Sequence, residues 1–138
     1  MIQRLQSVFL FFGSGALFSS FGFPFANSQN VSQLYFSDGI FNIHDNTILL
    51  GLVVAAAFIS LITIFLYNNR KLQLNLCIAL ILIIAGIFGF LIYSFSQFKD
   101  YSFDIGIGSP ILGLVLIVLA FIYIRKDDKL VKSMDRLR

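Results

Sequence analysis

The sequence predicts an all-α membrane protein: a bundle of four transmembrane helices with both termini cytoplasmic, a small β-hairpin in the first outer loop, and an amphipathic basic helix at the C-terminus. Three observations carry this expectation. Of 138 residues, 58% are hydrophobic and only 12% are charged, with a mean hydropathy of +0.89. A soluble domain of this size is about half apolar and about a quarter charged. The apolar residues gather into four stretches free of Asp, Glu, Lys, Arg and His, and nine of the ten Lys and Arg fall on one side of the resulting topology. This composition excludes a disordered chain, and a lone cysteine, Cys77, excludes a disulfide-stapled fold.

A helix rises about 1.5 Å per residue, so a hydrocarbon core of about 30 Å takes roughly 20 residues. Span one is expected over 8–25, span two over 48–67, span three over 74–95 and span four over 105–124, all within a single domain. Helix is the form in which lipid leaves no backbone group unpaired. Span one follows Arg4 and invites reading as a signal peptide. Its apolar run of about 18 residues exceeds an h-region of about 7–15, and no A-x-A-like site follows Phe25, so it is taken as a retained helix. Pro110 places the start of regular helix in span four close to itself, where a missing N–H is harmless.

Cytoplasmic segments retain Lys and Arg. Arg4 precedes span one, Arg70 and Lys71 separate spans two and three, and Arg125, Lys126, Lys129, Lys132, Arg136 and Arg138 follow span four. The other side holds Lys99 with Asp38, Asp45, Asp100 and Asp104. Both termini are therefore expected inside. Tyr67 and Tyr123 fall at the inner boundary and Tyr93 near the outer one, as amphipathic rings prefer.

In lipid, helices associate by close packing between small residues and by hydrogen bonds. Small residues four apart occur in every span: Gly15 and Ser19 with Ala16 and Ser20; Gly51 and Ala55 with Ala56 and Ser60; Ala85 and Gly89; Ser109 and Gly113. These are the expected helix-packing positions. Seven Phe crowd the first span, a pattern that either faces acyl chains and neighbouring helices or lines a groove for a quinone or lipid.

The first outer loop places the β-prone runs Val31–Phe36 and Ile40–His44 around Ser37-Asp38-Gly39, a hairpin signal. Phe98, Tyr101 and Phe103 of the second outer loop could pack on it. His44, Asp45, Asp38, Asp100 and Asp104 are the only residues with metal-ligand chemistry, and no spacing joins them, so no metal or other cofactor is expected. Asn30-Val31-Ser32 fits the glycosylation pattern. In the tail 125–138, Leu130, Val131, Met134 and Leu137 cover an arc of about 120°, while Arg125, Lys129, Lys132 and Arg136 form a basic stripe. Asp128 precedes Lys132 by one turn in the favourable sense. Such a helix can lie on anionic lipids, dock on a partner or enforce topology, and Arg70 and Lys71 share its side.

Several membrane chemistries lack their residues. No span offers the carboxylate of a proton-coupled carrier, Cys77 has no second cysteine, and the only His, His44, lies in a loop. No enzymatic activity is expected. The opening Met1–Gln6, the loop Asn69-Arg70-Lys71-Leu72-Gln73 with Cys77 after it, and the end Arg125–Arg138 resemble the domain-of-unknown-function family 4293, small four-helix inner-membrane proteins of Bacteroidota. The resemblance implies a bacterial cytoplasmic membrane, hence an unglycosylated Asn30, and no reaction. It leads to the expectation of an accessory or assembly subunit of a larger inner-membrane complex, with the bilayer and its anionic lipids as further partners and no nucleic acid. The alternative is a carrier or binding protein for a neutral lipophile, a quinone or lipid.

Overall fold

The computed structural model describes residues 3–27, 39–96 and 102–135, and in it four helices follow one another up and down. They are α1 (Gln3–Ser19), α2 (Thr47–Phe65), α3 (Arg70–Ser96) and α4 (Gly108–Asp135). Three of them are long and apolar enough to cross a membrane, and the apolar part of α1, Leu5–Ser19, is shorter. Span one is thereby corrected. Helix stops at Ser19, the next three N–H groups bond back to Leu17, Phe18 and Ser19 in tight turns, and Pro24 cannot extend the ladder. At 17 residues α1 is about 25 Å long. Span four is corrected at both ends: a 3-10 turn, Ile105–Ile107, precedes α4, and the helix runs through Arg125 to Asp135 without a break, so span and tail are one element.

Local chemistry sets the remaining ends. Asn46 caps α2, its side-chain oxygen accepting from the N–H groups of Ile48 (2.9 Å) and Leu49 (3.3 Å). Asn69 does the same for α3 through Leu72 N–H (3.3 Å), and its carbonyl accepts from Gln73. The link from α2 to α3 is so short that the two helices are antiparallel neighbours. The helices close into a ring, each packed on the next, with α4 returning to α1.

A small three-stranded antiparallel sheet stands where the outer loops meet. Strand β1 (Ala26–Asn27) lies between β2 (Ile40–Phe41) and β3 (Ser102–Phe103), with Ala26 opposite both Phe41 and Phe103. Among the described residues 40–41 pairs with the segment leaving α1; the other run of the expected hairpin, Val31–Phe36, lies outside the described residues, as do Asn30, Asp38, Phe98, Lys99, Asp100 and Tyr101. The pairing follows from burial: Phe25 and Phe41 are both fully buried and their rings lie 6.4 Å apart. Phe95 meets Phe41 and Phe103 edge-on at 5.8 and 5.4 Å, roofing the bundle. Gly39, with φ 78°, supplies the left-handed residue that turns the chain into β2.

Gly106 locks this roof to the bundle. Its N–H donates to Pro24 O (2.9 Å), and any Cβ there would collide with the Pro24 and Phe23 carbonyls. Gly106→Ala is expected to cost about 1–3 kcal/mol by overpacking against rigid backbone. Gly89→Ala, where a Cβ meets nothing within 4 Å, should be neutral or stabilising by up to about 1 kcal/mol through helix propensity. Thermal unfolding of both variants in the same detergent checks the contrast.

Candidate functional site

Arg70, Lys71 and the basic residues of α4 gather at the end of the bundle where α1 and α3 begin and α4 emerges. Arg70, opening α3, reaches across to α4, where its guanidinium lies 3.4 Å from the Asp127 carboxylate and 3.4 Å from the Asp127 carbonyl oxygen. The two side chains are only 25% and 15% exposed, so solvent screens this pair less than a surface pair. Asp128 pairs instead with Lys132, one turn along α4. Both acids of the Arg125–Lys129 stretch are therefore engaged elsewhere. Arg125, Lys126 and Lys129 stand exposed around a concavity floored by Phe121 and Ile122, and among the described residues no acid pairs with them. Lys71 is exposed in the first turn of α3, and Arg136 lies outside the described residues.

Above this basic rim, four uncharged polar side chains are buried among the helices. Ser60 Oγ donates to Leu10 O (2.9 Å), tying α2 to α1, and Gln73 Nε2 donates to Thr63 O (3.2 Å), tying α3 to α2. Thr63 bonds back to Ile59 O (2.7 Å) within its own helix. Gln6 is equally buried, and its Nε2 is the one buried side-chain nitrogen or oxygen among the described residues without a hydrogen-bond partner. Beside this layer Cys77 packs with Leu10, Ala120 and Ile124. Of these four only Ser60 stands among the small residues expected to pack; Gln6, Thr63 and Gln73 carry no charge that marks them as buried. Ser60 and Thr63, one turn apart in an otherwise apolar run, were the available signal.

The small residues divide in an unexpected way. Gly113 of α4 faces α1: a Cβ there would stand 3.0 Å from Leu17, and one on Gly13 would stand 3.3 Å from Ile117. Ser109, one turn earlier, meets Ser20 across a 2.5 Å hydrogen bond and donates to Gly106 O. Ser19 is half-buried and bonds only to Ala16 O of its own helix. Gly15, Gly51, Ala55, Ala85 and Gly89 are exposed, as is Gly86, and a Cβ on any of these glycines would meet nothing within 4 Å. The expectation that these residues pack the bundle is thus corrected. Ala16, Ser20, Ala56 and Ser60, named with them, are buried, and so is Ala57.

At the opposite end, Phe88, Leu91, Ile92, Phe95, Phe103 and Ile107 line an apolar groove of about 290 Å³, with Ser96 at its rim. Of the Phe residues in span one, Phe11, Phe12, Phe18 and Phe23 are exposed, Phe25 is buried, and Phe9 stacks on Tyr123 at 5.4 Å. His44 is exposed and lies edge-on to Phe21 at 5.8 Å. Among the described residues no three of His, Cys, Asp and Glu come together in a metal-binding group.

The model of the family described as Domain of unknown function (DUF4293) matches residues 2–137. Neither a curated protein nor a solved structure matches the chain.

Gln6 and Gln73 yield opposite expectations. Gln6→Leu removes a buried amide nitrogen without a partner and should be neutral or stabilising by about 1 kcal/mol, whereas Gln73→Leu loses a bond between helices and should cost about 1 kcal/mol. Unfolding midpoints of the two variants in one detergent decide it, and a shift of the same sign in both would refute this reading of the layer.

Proposed function

The chain belongs to the DUF4293 family, and from that premise we propose that it is a non-catalytic accessory or assembly subunit of a larger complex in the bacterial inner membrane. The carrying observation is the outward placement of Gly51 and Ala55 on α2 and of Ala85, Gly86 and Gly89 on α3. Lipid offers helices no hydrophobic gain on meeting, so small residues matter where backbones must approach closely. The internal seam uses Gly13 and Gly113, and the outward positions serve helices of another protein. They lie at one depth: α2 and α3 are antiparallel, and Gly51 and Gly86 stand about equally far along them from the Thr63–Gln73 contact.

Four crossings with both termini cytoplasmic are part of the same proposal. Arg70, Lys71, Arg125, Lys126, Lys129 and Lys132 all stand at the end of the bundle where α1 begins, in keeping with retention of cations inside. The long, uninterrupted α4 then carries the basic residues, ending in Lys132 within the described part, out to a cytoplasmic partner surface.

Isolation from native membranes in mild detergent, followed by native gel electrophoresis, tests the proposal. The chain should migrate in an assembly larger than itself, and the pair Gly86→Ile with Gly89→Ile should release it as a folded monomer. A wild-type monomer, or an assembly indifferent to these substitutions, would count against the subunit role.

The apolar groove at the other end favours a second reading, the binding of a neutral lipophile such as a quinone or lipid, because it is lined by side chains without charge and opens outward. Ile92→Trp, which fills it, should abolish retention of extractable lipophile by the purified protein. Unchanged retention would dispose of this reading.

A further inference from the structure

We infer that the concavity bounded by Arg125, Lys126, Lys129, Phe121 and Ile122 is a binding site for one anionic glycerophospholipid of the surrounding bilayer, its phosphate among the three cations and an acyl chain along the two apolar side chains. The argument begins with where the charges stand. Among the residues of α4 whose side chains are described Ile124 is the last fully buried apolar one, and Arg125 is the first charge after an uncharged run that begins at Ile105. The site therefore straddles the level at which hydrocarbon gives way to headgroups, the one depth where a ligand must be apolar on one side and ionic on the other.

Its charge is not cancelled from within. The stretch contains two acids, but Asp127 is held by Arg70 on the face toward α3, and Asp128 is held by Lys132. At 100° per residue, Phe121, Arg125, Lys129, Ile122 and Lys126 share one arc of about 140°, and Asp127 points away from it. The result is a local excess of three positive charges over an apolar floor. The backbone does not supply this charge, since the C-terminal end of a helix is its negative pole. The volume is about 430 Å³, against about 30 Å³ for one water in the liquid, so the site has room for a hydrated phosphodiester rather than a lone counter-ion. A protein partner would need an acidic surface reaching to the hydrocarbon boundary, where the lipid phosphate already stands. Complementarity in both charge and depth selects the lipid.

The site does not depend on the subunit proposal and can be tested without a partner. The full chain is purified in detergent and titrated with phosphatidylglycerol or phosphatidylcholine, with bound lipid counted by native mass spectrometry. Wild type should retain phosphatidylglycerol preferentially. Each of Arg125→Gln, Lys126→Gln and Lys129→Gln should weaken that retention about fivefold, and the triple variant by on the order of a hundredfold, whereas Lys71→Gln should leave it unchanged. Should the triple variant not fold, the single variants decide. Inorganic phosphate, titrated as the only anion in phosphatidylcholine micelles, separates the headgroup alone from the whole lipid. Protection against heat by phosphatidylglycerol well beyond that by phosphate supports the proposal. Equal protection by phosphate, equal retention of the two lipids, or retention insensitive to the three substitutions would overturn it.

Discussion

The helices α1 and α4 meet where each lacks a side chain, and the rest of the bundle depends on that contact. Within a bilayer, apolar helices gain nothing by hiding apolar surface from lipid, and stability has to come from contact made closely enough for dispersion and hydrogen bonds to count. Gly13 and Gly113 admit Ile117 and Leu17 to van der Waals distance, and Ser20 and Ser109 complete the seam with a hydrogen bond. This seam closes the ring of helices. It also gives α1, whose apolar part is too short to be grouped with the three long helices, a long partner to lie against.

The two ends of the bundle then solve different problems. At one, the chain leaving α1 is pinned as the central strand of the small sheet, and Gly106 lets the approach to α4 pass flush against the Pro24 carbonyl. The buried rings of Phe25, Phe41 and Phe95 fill the space beneath, with the exposed Phe103 ring against Phe95 at its edge. At the other, the Arg70–Asp127 pair ties the start of α3 to α4. The lower interior is held by Ser60 and Gln73, whose partners are backbone carbonyls on neighbouring helices. Hydrogen bonds of this kind fix which helix lies beside which without placing a charge in the membrane.

The surfaces left over carry the functional proposals. Outward-facing glycines on α2 and α3 offer close approach to another helix, and the basic collar on α4 offers an anion a place at the headgroup level. Pairing Asp127 and Asp128 with Arg70 and Lys132 is what turns a mixed-charge stretch into a basic one. The Arg70–Asp127 half of that step depends on the position of α3 and has no counterpart in a count of charges along the chain.

Much of this could be read without coordinates. The apolar stretches, the gathering of Arg70, Lys71 and the C-terminal cations at one end, the helix start near Pro110 and the help from Asp128 to Lys132 all follow from additive or short-range effects: transfer into lipid is a sum over residues, and the Asp128–Lys132 pair spans one helical turn. Other features could not. Ile40–Phe41 pairs with Ala26–Asn27, a partner set by the burial of Phe25 and Phe41 and not marked by any β-prone run in the sequence. The inward and outward faces of the helices were also hidden. A helix surrounded by lipid is apolar all round, so hydrophobic periodicity does not mark the side that meets its neighbours, and Gly113 reads no differently from Gly51 or Gly89. The sequence by itself determined which segments leave water and which end of the bundle is basic, because both are sums of single-residue preferences. The tertiary structure alone decided which glycines form the seam, which face outward and which cations are left unpaired, because each depends on the helix that lies opposite.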